Sequence, residues 1–296
     1  MKPMISLLLI LAFVTISFGQ TLKFQYYQSL IFIPVRVNNY DLLFLLNTGA
    51  NASVIDNNVA TRLKISASSK QDSVIGTAGK ERVQIVTLAL FKIGNSTLKN
   101  VVVTSRTLHH FIALNGKKVD GILGTDLLKL FAITIDFKEQ KIVFQNAGIP
   151  AGRKKTILFE MPEGIPKVSV KLNDTFQTYL HYNSGVSMEF DKSVYVNLSP
   201  TQWNSLHSKE SDISEHKNLW GQGVGGNVLL KTVKLNSVVL SNQLRLPFVY
   251  AVLQPSEGYF ESKKSIGFFS NNLLEKYGRI SVDFINKQIV LPFSKN

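Results

Sequence analysis

Three segments from the first half of this chain recur, in the same order, in the second half. Phe44-Leu45-Leu46-Asn47-Thr48-Gly49-Ala50 corresponds to Tyr179-Leu180-His181-Tyr182-Asn183-Ser184-Gly185-Val186, each an apolar run ending in Asn-(Thr/Ser)-Gly and a small residue. Gly121-Ile122-Leu123-Gly124-Thr125-Asp126-Leu127-Leu128 corresponds to Gly267-Phe268-Phe269-Ser270-Asn271-Asn272-Leu273-Leu274, and Ile133–Phe137 with Lys141–Phe144 to Ile280–Phe284 with Lys287–Leu291. The offsets are 136, 146 and 147 residues, so the chain is a tandem duplication whose copies are expected to fold as two similar lobes. Periodicity breaks at Gly148-Ile149-Pro150-Ala151-Gly152-Arg153, which places a linker near 148–154 and divides the chain into 21–150 and 151–296.

Each copy reads as short strands. Alternation and β-branched residues pick out Leu22–Tyr27, Ile31–Val37, Leu42–Leu46, Val83–Ile93 and Val101–Ser105, with Ile93-Gly94-Asn95-Ser96 as a turn. Helical signals are few and short, so the expected fold is mostly β. Residues 1–20 begin with one charge, Lys2, continue through the apolar run Ile5–Phe13 and end in small and polar residues, the pattern of a cleaved secretory signal peptide. The apolar run is too short for a membrane anchor, which needs about 20 residues, and a secreted or periplasmic protein follows. The chain has no Cys, which excludes disulfides, thiolate nucleophiles and Cys-based metal sites. Lys and Arg (33) outnumber Asp and Glu (20), a net charge of +13 that becomes +12 without Lys2. These charges are scattered. Arg153-Lys154-Lys155 is the one basic run, and no basic stretch is interleaved with aromatics as a nucleic-acid groove requires.

The run Phe44–Ser53 and the strand Gly121-Ile122-Leu123-Gly124 resemble the active-site loop, and the strand that threads behind it, of the pepsin and retropepsin superfamily of aspartic peptidases. The resemblance spans nearly the whole chain after the signal peptide and is stronger in the first copy. It implies a two-lobed pepsin-like fold of tandem retropepsin-like β-barrel units with short helices. It also implies two Asp-(Thr/Ser)-Gly loops meeting at a pseudo-twofold axis, where two carboxylates share a proton and activate a water. Thr48, Gly49, Ser184 and Gly185 match the loop pattern, but both catalytic positions depart from it: they are Asn47 and Asn183. An amide nearly matches a carboxylate in size and still hydrogen-bonds, but it holds no charge and exchanges no proton near neutral pH. The expectation is therefore a pseudopeptidase that binds an extended peptide or protein segment in its cleft, with no cofactor and no metal. An active peptidase using other acid and base groups, and a structural or surface-interaction module, are the alternatives.

Other residues add less. Asp56 and Asp126 are expected to cap short helices, and Asp120 and Asp136 to lie at strand edges. The resemblance places flap hairpins at Gly76, Thr77, Ala78 and Gly79 and, in the second copy, around Gly223, Val224 and Gly225. Gly221–Gly226 also satisfies the dinucleotide pattern G-x-G-x-x-G, but Val228–Leu235 alternates as a strand where that motif needs a helix. His109, His110, His181, His207 and His216 show no metal-ligand spacing; regular alternation puts His181 on the same strand face as Asn183, directed toward the cleft. Ser184 is not in a G-x-S-x-G elbow. Asn51, Asn95, Asn173 and Asn197 begin glycosylation sequons, and a sugar on Asn51 would crowd the cleft.

Overall fold

A computed structural model of the chain describes residues 20–76, 79–108, 111–150, 154–187, 193–210, 213, 215–223 and 226–292. Residues 1–19 of the expected signal peptide, linker residues 151–153, flap residues Thr77, Ala78, Val224 and Gly225, and His109 and His110 lie outside that set. Among the described residues no helix is long and apolar enough to cross a membrane.

The fold is mostly β and is organised in three sheets. An eight-stranded sheet takes its strands from Gln25–Tyr27 through Gly121–Leu123, and a seven-stranded sheet from Lys167–Leu172 through Phe268–Phe269. In the first, Gly121–Leu123 runs parallel to Tyr40–Leu46 and antiparallel to Val54–Asp56, so it sits between the strand that enters the Asn47 loop and the strand that leaves it. In the second, Phe268–Phe269 makes the same two pairings, parallel to Phe176–Tyr182 and antiparallel to Tyr195–Leu198. Glycine is needed where these threading strands begin. A Cβ on Gly121 would stand 2.3 Å from the Phe44 ring, and one on Gly267 would stand 1.8 Å from the Asn197 carbonyl oxygen.

The six-stranded sheet joins the halves. Its two central strands, Ala132–Asp136 and Arg279–Asp283, pair antiparallel. Thr134 faces Ser281, its own counterpart 147 positions later, with their hydroxyls 2.9 Å apart. Pairing between equivalent residues is what a twofold axis through that point produces, so the duplication read in the sequence is also the symmetry of the sheet. Ile133, Ile135, Ile280 and Val282 bury their side chains from this sheet in one apolar cluster that runs through both halves. Each such side chain contributes roughly 1.5–3 kcal/mol of burial.

The strand expected over Leu22–Tyr27 is two strands. Thr21–Lys23 pairs with Lys141–Gln145 in the six-stranded sheet, and Gln25–Tyr27 pairs with Leu30–Val37 in the eight-stranded one. Buried Phe24 marks the change of sheet, its N–H donating to the Gln140 carbonyl at 3.0 Å. Asp56 does cap the helix Asn57–Arg62, accepting from Asn58 N at 2.9 Å. Asp126 is not a cap, because Gly124 occupies the N-cap position of Thr125–Leu128. Two sequons are closed to glycosylation in the folded chain, as Asn197 is 1% and Asn173 9% exposed, whereas Asn51 and Asn95 are exposed.

Asp283 ties this sheet to the segment that crosses between halves. It is fully buried, and its carboxylate accepts from Ile149 N at 2.7 Å, Ile285 N at 3.1 Å, Asn286 N at 3.0 Å and Asn286 Nδ2 at 2.8 Å. Replacing it by Ala leaves the Ile149 N–H buried without an acceptor and unties the hairpin turn. The Asp283→Ala variant is expected to be less stable by about 3 kcal/mol, measured as a lower urea midpoint.

Candidate functional site

The site is built where the two Asn-(Thr/Ser)-Gly loops meet. Each loop follows a strand whose last side chain, Leu46 or Tyr182, is buried in the core, and this anchors the loop from behind. The hydroxyl residues then cross over. Thr48 N donates to Ser184 Oγ at 3.0 Å, and Ser184 N donates to Thr48 Oγ1 at 2.9 Å. Thr48 Oγ1 donates to the Tyr182 carbonyl at 2.6 Å, and Ser184 Oγ donates to the Leu46 carbonyl at 2.9 Å. Both side chains are buried, so four hydrogen bonds, two in each direction, lock one loop to the other away from water.

The two glycines bring the amides together. A Cβ on Gly49 would meet the Asn183 amide carbon at 2.2 Å, and a Cβ on Gly185 would meet the Asn47 amide carbon at 2.1 Å. Each amide therefore lies against the bare backbone of the opposite loop, a position open only beside glycine. Within its own loop each amide is oriented by a glycine N–H: Gly49 N donates to Asn47 Oδ1 at 2.8 Å, and Gly185 N donates to Asn183 Oδ1 at 3.0 Å. Only an oxygen can accept there, so these bonds fix which end of each amide is which. Asn47 and Asn183 are both partly exposed. The site brings together all six loop residues expected from the sequence: Asn47, Thr48, Gly49, Asn183, Ser184 and Gly185.

Carboxylates behind the first loop are already engaged. Asp126 accepts from Ser53 N at 3.0 Å and Ser53 Oγ at 2.6 Å, while Ser53 Oγ accepts from Gly124 N at 3.0 Å. Asp126 Oδ1 also accepts from Leu127 N at 3.0 Å in the first turn of its helix, so one carboxylate both serves the helix end and holds the Asn47 loop against the threading strand. Asp56 accepts from Leu108 N as well as Asn58 N, each at 2.9 Å. Asp120, at the edge expected for it, accepts from Leu43 N at 2.8 Å.

The second loop is supported differently. Tyr182 donates to Asn271 Oδ1 at 2.7 Å, and Asn271 Nδ2 donates to the Ser29 carbonyl in the other half at 2.7 Å. Burial raises the Tyr182 hydroxyl well above its ordinary range, so it remains a donor. Asn271 and Ser29 were not singled out from the sequence; the recurrence of Thr125 as Asn271 was the available signal.

His181 does not act at the cleft as its strand position suggests. It is 7% exposed, and its Nδ1 lies 3.2 Å from the Pro166 carbonyl, an acceptor, so Nδ1 carries the proton. It occupies the register position of Leu45 in the first half. Burial lowers its pKa from the ordinary 6.5, against smaller upward pulls from the Pro166 carbonyl and the charge of Glu163.

Each half carries one long hairpin. In the first, Ala67–Gly76 pairs with Gly79–Ile93 and closes at Gly76↔Gly79; in the second, Glu215–Gly223 pairs with Gly226–Leu240 and closes at Gly223↔Gly226. Each hairpin has a register shift near its base. The strand Gly226–Leu240 therefore stands where a dinucleotide site needs a helix. Both strands of the first hairpin approach the turn Gly258–Glu261 of the second half.

Residues 33–127 match the family model described as aspartyl protease. No curated protein sequence matches the chain. Among solved structures, the aspartic proteinase from Irpex lacteus aligns over 94% of this chain and 98% of its own, with a TM-score of 0.54 and 11% identity. A retropepsin-like aspartic protease from Rickettsia conorii aligns over 42% of this chain and 88% of its own, with a TM-score of 0.30 and 19% identity. The chain thus has the mostly β, pepsin-like fold. Within it, the region from the first core strand to the helix behind the Asn47 loop matches the aspartyl protease family.

Two outcomes follow. Thr48→Val strands the Tyr182 carbonyl and the Ser184 N–H in a buried interface and is expected to cost about 3 kcal/mol in urea unfolding, whereas Thr48→Ser keeps both bonds and costs about 1 kcal/mol. For His181, the unfolded chain takes up a proton as pH falls below 6.5 while the folded chain resists it. Its contribution is complete above that pH and is lost progressively below it. His181→Leu is therefore expected to lose less stability between pH 8 and pH 5 than the parent, read from urea midpoints.

Proposed function

We propose that this protein is a secreted, catalytically inactive homologue of the aspartic peptidases, with lobes 21–150 and 151–296, that binds an extended peptide or protein segment in the cleft between them. The observation that carries this reading is the contrast within the site: the crossed Thr48–Ser184 bonds and close glycines are kept on both sides, while both catalytic positions are amides. A cleft that holds a peptide needs that scaffold. A cleft that cuts one also needs a group that ionises and a proton to share.

The hairpin tips at Gly76–Gly79 and Gly223–Gly226 supply the rest of the reading. An extended segment passing beneath them pairs its backbone with a strand edge, which gives affinity with little dependence on sequence. Secretion rests on the N-terminal apolar segment. The scattered basic surface supports no nucleic-acid groove.

Mature protein incubated with a diverse peptide library from acidic to neutral pH, with products read by mass spectrometry, tests the reading. The parent is expected to leave the library intact. The Asn47→Asp/Asn183→Asp double variant is expected to cut at acidic pH, since general acid–base groups contribute about 10² to 10⁴-fold in rate. Cleavage by the parent would refute the reading.

A further inference from the structure

The bonds that orient the two amides also decide what they offer a ligand. Gly49 N and Gly185 N each take the oxygen of the amide in their own loop. The donors left over are the two NH2 ends, Asn47 Nδ2 and Asn183 Nδ2, and neither has a hydrogen-bond partner among the described residues. Each NH2 end lies against the opposite loop, 2.4 Å (Asn183) and 2.3 Å (Asn47) from where a Cβ on Gly49 or Gly185 would stand. Flipping either amide would set its NH2 against a glycine N–H, donor against donor, so the orientation is not free to adapt.

A pair of carboxylic acids at these positions presents acceptors and one shared proton. This pair adds two NH2 donors, while each Oδ1 already spends one of its two lone pairs on a glycine N–H. The arrangement has the opposite polarity to a water-holding dyad, and its complement is a group rich in lone pairs. A carboxylate has two oxygens with about four acceptor sites, and its bonds to N–H are charge-assisted and roughly twice as strong as those of a neutral carbonyl. The carboxylates of Asp56 and Asp126 do not compete for these donors, since backbone N–H groups and the Ser53 hydroxyl already engage them.

We propose that the paired amides Asn47 and Asn183 form a carboxylate-binding site, so that the peptide held in the cleft is anchored by an acidic group at the former catalytic centre. This rests on the peptide-binding reading above and adds the chemistry of the ligand. A peptide carries a carboxylate at its C-terminus or on an Asp or Glu side chain.

The test uses short randomised peptide pools in matched pairs, captured on immobilised mature protein and quantified by mass spectrometry. One pair differs only in a C-terminal acid or amide; a second, with blocked termini, differs only in an internal Glu or Gln. At neutral pH the acid member of at least one pair is expected to be retained about tenfold more strongly than its neutral twin. The pair that shows this names the source of the carboxylate. The advantage is expected to fade as pH drops through about 4, where the ligand takes up its proton. Asn47→Asp places a charge of the same sign in the site and is expected to abolish the preference at neutral pH; a preference that survives would belong to the basic surface and overturn the proposal. Equal retention within both pairs would also overturn it while leaving peptide binding intact. Failure of every pool to bind would remove both readings.

Discussion

The crossed hydrogen bonds between Thr48 and Ser184 are the constraint on which the site depends. Each residue gives its hydroxyl proton to a carbonyl at the end of the opposite strand and accepts the opposite backbone N–H. Both loops are thereby held at one distance and one mutual rotation, set by bonds whose partners are all buried. The close approach of each amide to the opposing glycine follows from that placement. So does the role of the parts behind: Asp126 with Ser53 in the first half, and Tyr182 with Asn271 in the second, keep each loop from sagging away from the contact.

The support is unequal in the two halves although the loops are alike. In the first half a charged carboxylate gathers Ser53 N and Oγ. At the corresponding place in the second half stands Asn272, whose buried Nδ2 has no partner among the described residues. Leu45 is likewise replaced by a buried His181 and Leu46 by Tyr182. A duplicated unit keeps what both copies must do together, the contact at the axis, and lets the surrounding apolar and polar fillers diverge under local packing.

Much of this was legible in the sequence because duplication amplifies weak signals. The Asn-(Thr/Ser)-Gly repeats located the loops, and the recurrence of Ile133–Phe137 as Ile280–Phe284 located the central strands of the joining sheet. Less legible were features that depend on tertiary contact. Nothing local in Leu22–Tyr27 says that Phe24 passes from one sheet to another, because both segments alternate in the same way. Asp126 looks like a helix cap by position, and only the return of Ser53 beside it reveals its partner. Alternation put His181 on the face of Asn183, but alternation does not distinguish a cleft from a buried place beside a proline carbonyl. The orientation of the two amides was beyond reach of the sequence altogether, since it is set by which atom each glycine N–H meets.

The six-stranded sheet also bears on how the chain is made. Its inner strand Ala132–Asp136 is bounded on one side by Lys141–Gln145, which follows at once, and on the other by Arg279–Asp283, which leaves the ribosome much later. Throughout that interval one edge of Ala132–Asp136 has only water, or the same edge of another nascent chain, to satisfy its donors and acceptors. The natural partner is an equivalent strand running antiparallel, the pairing that the two halves of the finished molecule make. Synthesis as one polypeptide supplies that partner at high local concentration and gives the internal pairing the advantage over the pairing between chains.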